Sequence, residues 1–221
     1  MGLMLAAGVA QAASNVDRPA MPVASAPTAA AAPVSRFSDA DAASIARVEA
    51  YLTAIPSIVA DFNQVSADGS TGSGKFYLKR PGKMRWQYNP PTPILLVSNG
   101  ASVTYYDASL DQVSYVGMDD TMAGFLARRE IKLDSESTKL TQFEAADGVI
   151  RATMVQRKKP DEGSLTLEFN ENPLQLRQMA VVDATGNSTR IQLQNATFGP
   201  VLDDRLFVFE DPRGVTPRKK Q

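Results

Sequence analysis

The sequence predicts a mainly β domain with some α structure, in which about eleven antiparallel strands form a barrel or strongly curved sheet. Three observations carry this. Apolar residues alternate with polar ones through most of residues 58–197. The alternating runs are short and separated by turn-forming pairs such as Asn99-Gly100, Asp147-Gly148 and Gly186-Asn187. The runs are evenly spaced, which is how sandwiches and barrels read along a chain.

The elements follow in order. Residues Met1 to Ala12 form a short uncharged apolar run ending in Ala10-Gln11-Ala12, the small-x-small pattern of a signal-peptidase site. The run is too short to span a bilayer. It is read as the remnant of a signal peptide whose basic n-region lies upstream, with an apolar terminal helix as the alternative. Residues 13–37 are rich in Ala and Pro without a period and are expected to be a disordered tether. Ser38 or Asp39 then caps a helical run in which Ile45, Val48, Leu52 and Ile55 share one stripe, and Pro56 stops it.

Period two begins after this helix. The expected strands are Ile58 to Ser66, Gly74 to Arg80, Lys83 to Tyr88, Ile94 to Ser98, Ser102 to Asp107 and Leu110 to Val116. A second set runs Leu140 to Ala145, Val149 to Gln156, Ser164 to Asn170, Leu174 to Asp183 and Ser188 to Thr197. Between the sets, Asp119 to Ile131 places Met122, Phe125 and Leu126 as an apolar patch after an Asp cap, a short helix laid over the sheet. The domain is expected to span 38–215, with a basic tail at 216–221.

Composition excludes several function classes. The 221 residues contain no His and no Cys, which removes imidazole and thiol catalysis, disulfides and nearly all zinc or haem sites. A net charge of −1 with both signs interspersed gives no nucleic-acid footprint. The sequence GSTGSGKF, Gly69 to Phe76, satisfies the GxxxxGK pattern, but Phe76 stands where a Mg²⁺-binding hydroxyl belongs. A strand also follows where a helix is required, so its glycines are read as a flexible hairpin loop. The carboxylate pairs Asp119/Asp120, Asp161/Glu162 and Asp203/Asp204 fall in turns or caps and are read as solvated surface. No catalytic constellation, metal or cofactor is expected.

The informative stretch is Lys75 to Tyr88. Phe76 and Leu78 share a parity with Arg80, and Met84, Trp86 and Tyr88 share one on the next strand. Two neighbouring strands therefore offer Phe76, Leu78, Met84 and Trp86 to one interior. Arg80 either enters that interior with acceptors close by or snorkels to solvent from the strand end.

The block KRPGKMRWQYNPP, followed by ILLVSNGASVTYYDASLDQV, resembles the outer-membrane lipoprotein carrier family of the Gram-negative periplasm, LolA. Phe62 and Gln64 in DFNQV match its F-x-Q, and Phe207 to Val215, FVFEDPRGV, is similar to its closing strand. The resemblance runs from about Val48 to Val215. It implies an open antiparallel half-barrel whose concave apolar face is covered by helices. It implies a periplasmic, non-enzymatic carrier that binds lipoprotein acyl chains, with Phe62, Phe76, Leu78, Met84, Trp86, Met122, Phe125 and Leu126 as ligand-contacting residues. Arg80 would be the latch that hydrogen-bonds lid carbonyls in the empty protein. The implied partners are acylated lipoproteins, an inner-membrane lipoprotein-releasing transporter and an outer-membrane acceptor, with the chain itself monomeric. Met84 stands where the family often has an aromatic residue, and Asp119 to Arg129 lacks the Pro common in its lid. A sensor of acyl chains with the same architecture is the runner-up; an esterase using the same pocket lacks the necessary His.

Overall fold

The computed structural model describes residues 37–118 and 123–213. The expectations for the signal-peptide remnant, the tether, the basic tail, Met122 and the Asp119 cap lie outside these residues.

Helix α1 spans Asp39–Ala54. Ser38 caps it: its side chain accepts from Asp41 N while Asp41 reaches back to the Ser38 backbone, so two orphan donors of the first turn are met reciprocally. The apolar stripe buries Val48 and Leu52, and Pro56 ends the helix as expected.

Eleven strands follow: β1 (Ser57–Val65), β2 (Thr71–Lys79), β3 (Lys83–Tyr88), β4 (Ile94–Asn99), β5 (Ser102–Asp107) and β6 (Gln112–Gly117), then β7 (Thr138–Ala146), β8 (Val149–Gln156), β9 (Gly163–Glu171), β10 (Leu174–Asp183) and β11 (Ser188–Phe198). They form one antiparallel sheet in the order β6-β5-β4-β3-β2-β1-β11-β10-β9-β8-β7. Each strand pairs with its neighbour in the chain, with two exceptions. β1 also pairs with β11, and the connection from β6 to β7 joins the two outer edges of the sheet. That connection carries helix α2 (Ala123–Ala127).

Both helices lie on one face. Val48, Leu52 and Ile55 from α1 and Phe125, Leu126 and Ala127 from α2 share a single buried cluster with inward side chains of both halves of the sheet, among them Phe62, Leu78, Trp86, Leu140, Leu167 and Leu193. The other face of β8 to β10 is wet. There Arg151 and Arg177 both pair with Glu168, and the Thr153 and Thr166 hydroxyls meet at 2.9 Å. One side apolar and helix-covered, the other polar, is the pattern that alternation predicts for an antiparallel sheet.

The structure changes the reading of two segments. The expected hairpin loop of GSTGSGKF is shorter than read, because β2 begins at Thr71 rather than Gly74 and takes in Gly72. The glycines there serve packing: a Cβ at Gly74 would sit 2.8 Å from the Phe62 ring and 2.1 Å from Gln87 O, and one at Gly72 would sit 3.1 Å from the Tyr88 ring. The segment expected as a closing strand, from Phe207 onward, is no strand among the described residues. Its 3-10 turn at Asp204–Phe207 lies against β3 and β4, and beyond it the Phe209 ring meets Tyr106 of β5 at 5.7 Å. Arg85 Nη1 donates to Leu206 O at 3.1 Å, Lys79 Nζ donates to Leu202 O at 2.8 Å, and Lys79 and Lys83 share Asp204. Leu202 and Phe207 are buried there, as is Val97 on the outer side of β4.

Gly74→Ala is expected to lower stability by about 1–3 kcal/mol through overpacking, and Gly72→Ala by less. Urea unfolding would show this as a lower midpoint at unchanged slope. Equal midpoints for Gly74→Ala and the parent would refute the packing role.

Candidate functional site

The site is built where β2 turns into β3 beneath the two helices. In the β2–β3 register, Phe76 faces Trp86 and Leu78 faces Met84. The Trp86 ring stacks on Phe76 at 4.1 Å between centroids, and Phe62 meets it edge-on at 5.0 Å. Phe62 reaches Trp86 and Tyr88 by crossing over Gly74, its direct partner on β2. Such ring pairs fix mutual orientation as well as burying area. Tyr88 in turn gives its hydroxyl hydrogen to Gln64 Oε1, and burial pushes the phenol well above its ordinary pKa. The sequence reading placed Phe62, Phe76, Leu78, Met84, Trp86, Phe125 and Leu126 together, and all seven belong to the one buried cluster.

Arg80 is the first residue after β2, one position beyond its expected place inside the strand. It keeps the inward parity of Phe76 and Leu78. Its Nη1 donates to Leu52 O and Ile55 O, the carbonyls at the end of α1, and its Nε donates to Leu126 O in α2 at 2.9 Å. The last carbonyls of a helix lack intrahelical donors and carry its negative partial charge, so a cation is favoured there. The last turn of α1 contains no basic residue of its own. Arg80 supplies that charge from the sheet and joins both helices to it.

The contact is not free of cost. Burial pushes the Arg80 guanidinium down to about 10, which still leaves it charged at neutral pH. Its Nη2 is buried with no hydrogen-bond partner among the described residues. An unmet buried donor costs on the order of 1–3 kcal/mol, and more on a charged group, which offsets part of what the other donors contribute.

The remaining attachments divide the cover into two parts. Segment 131–133 is fastened to α1: Ile131 N donates to Thr53 Oγ1 at 3.1 Å and Leu133 N to Glu49 Oε1 at 2.8 Å. Helix α2 is held from the sheet by Arg80 and by Gly82 N, which donates to Ala127 O at 2.6 Å. Two of the carboxylate pairs have structural partners: Asp203 caps the 3-10 turn by accepting from Arg205 N, and Glu162 pairs with Lys159; Asp119/Asp120 lies outside the described residues. No group of three His, Cys, Asp or Glu side chains able to hold a metal exists among the described residues. No helix among them is long and apolar enough to cross a membrane.

An open, one-sided β-sheet with two helices laid on its apolar face, both bonded by one arginine at the end of β2, defines a class of proteins with a covered apolar interior. Residues 53–210 match the family described as "Outer membrane lipoprotein carrier protein LolA". An outer-membrane lipoprotein carrier protein of Chromobacterium violaceum is 32% identical over 198 residues, covering 85% of this chain and 93% of that protein. One from Methylococcus capsulatus is 32% identical over 191 residues, covering 80% and 88%. A solved LolA superfamily protein from Nitrosomonas europaea aligns at 11% identity with a TM-score of 0.45, covering 75% of this chain and 97% of that one. The chain belongs to the LolA family.

Trp86, the only tryptophan, is 8% exposed and flanked by two rings. Its fluorescence in the ligand-free protein is expected to be blue-shifted and poorly quenched by acrylamide. Emission and quenching like those of free tryptophan would contradict its place in the site.

Proposed function

We propose that this protein is a periplasmic carrier of acylated lipoproteins, taking their acyl chains between the concave face of the sheet and the helices that cover it. Family membership and the names of its curated relatives support the cargo. The observation that carries the mechanism is the destination of the Arg80 donors. All three bonds end on backbone carbonyls of the covering helices.

Each methylene of an acyl chain moved from water to an apolar site contributes about 0.8 kcal/mol, so one long chain alone is worth on the order of 10 kcal/mol. A carrier with that affinity and nothing opposing it would not release. The apolar face is covered by Phe125 and Leu126, which are buried against it. Loading displaces them and breaks the Arg80 bonds; release restores both. The acyl chains then touch Phe62, Phe76, Leu78, Met84 and Trp86 below and Met122, Phe125 and Leu126 above. The role is binding, with an inner-membrane transporter as donor and an outer-membrane acceptor as destination, and the chain works as a monomer.

Replacing Arg80 with Leu removes bonds made only in the closed state, each worth about 1.5–3 kcal/mol. The loss of one such contribution means retention roughly ten- to 150-fold tighter. Arg80→Leu is expected to load lipoprotein from inner-membrane vesicles normally and to deliver it poorly to outer membranes. A variant that loads and releases like the parent, with lowered thermal stability alone, would end this reading.

A further inference from the structure

Ser98 is wholly buried on β4 in a position that faces the apolar interior, directly across from Met84. A hydroxyl there needs a reason, because every polar group taken from water must find partners. Its partners are specific. Ser98 Oγ donates to Gly82 O at 2.9 Å and accepts from Gly100 N at 3.2 Å. The same oxygen lies 3.8 Å from Met118 Sδ.

Gly82 is the residue whose N–H donates to Ala127 O, the last residue of α2. Its φ is +79°, a left-handed conformation that favours glycine, and a Cβ there would fall 2.6 Å from Gly100 Cα. The two turns, Pro81-Gly82 and Asn99-Gly100, are therefore in backbone contact, and the Ser98 hydroxyl ties one to the other. Helix α2 also rests on Met118, since a Cβ at Gly124 would meet Met118 O at 2.2 Å. Ser98 thus touches both supports of α2: the glycine that holds its end and the methionine beneath its start.

We infer that Ser98, acting through Gly82, is a positioning residue for a second latch on α2, independent of the Arg80 guanidinium. This rests on the reading of α2 as the displaced cover. The hydroxyl holds the Gly82 carbonyl and so restrains rotation about Gly82, which keeps the N–H on the preceding peptide pointed at Ala127 O whenever α2 is down. Without it, Gly82 can rotate and the bond to α2 weakens. The closed state then loses energy that the loaded state never had.

The test uses the full chain and a fluorescent fatty acid as the probe. Ser98→Ala should exchange the Gly82 amide hydrogen faster by NMR and retain the probe about two- to tenfold more tightly, as expected for one neutral hydrogen bond. Ser98→Cys, which keeps a weak donor, should fall between Ser98→Ala and the parent. In combination with Arg80→Leu the effect on retention should add rather than vanish. If Arg80→Leu tightens retention and Ser98→Ala does not, the second latch is refuted while the carrier reading stands. If Arg80→Leu leaves retention unchanged, the carrier reading fails, and faster Gly82 exchange in Ser98→Ala would then report only a structural bond. Should Ser98→Ala fold poorly, Gly82→Ala supplies the second variant, since its Cβ pushes against Gly100 and misdirects the same N–H; parent-like retention by a folded Gly82→Ala also overturns the inference.

Discussion

A guanidinium set among backbone carbonyls, at the one place where the sheet meets the ends of both helices, is the constraint on which the rest depends. Arg80 reaches Leu52 O and Ile55 O in one direction and Leu126 O in the other. No apolar residue could do this, and a lysine would offer a point charge where a planar fork is needed. The interaction is strong bond by bond, yet it is burdened by burial and by the unmet Nη2. A contact with large opposing contributions can hold a cover in place and still give way to a competitor of modest net affinity. A purely apolar plug lacks this property, because more area would always mean a tighter seal.

The topology explains why such a contact is needed on α2 in particular. Every other neighbouring pair of strands in the chain is joined across a short turn, so strand pairing alone fixes its place. The β6–β7 connection must cross from one open edge to the other, and strand pairing fixes nothing along it. The position of α2 comes from what it rests on: Phe125, Leu126 and Ala127 on the apolar face, and the Arg80 and Gly82 donors at its end. Segment 131–133, by contrast, is fastened to α1 through Glu49 and Thr53. The cover thus has a fixed part and a part attached by few, identifiable bonds, the arrangement expected of an element drawn from the low-stability end of a structure.

Much of this was legible because alternation is a strict rule. One parity put Phe76, Leu78 and Arg80 on the same side, and the structure places Phe76 and Leu78 in the interior with the Arg80 fork directed to the helix ends. The capping box at Ser38 and the turn at Asp147-Gly148 are local chemistry and could be read locally. Other features depend on distant partners. Gly72 looks like a loop residue and Gly74 like a strand end until the rings of Tyr88 and Phe62 are seen to need their space. Phe207 has the spacing of a strand residue, yet its segment lies across the sheet and is held through Arg85 and Lys79. Ser98 carried a usable signal, an inward parity for a polar residue, but its meaning required knowing that the Asn99-Gly100 turn touches Gly82.

The claim that Arg80 holds the empty protein closed can be measured as a distance. The chain has no native cysteine, so cysteines introduced at exposed Arg129, just after α2, and exposed Gln87, on β3, can carry a unique pair of spin labels. Without ligand, the parent should give one narrow distance distribution, and Arg80→Leu should broaden it toward longer distances. The same narrow distribution in both proteins would contradict the account.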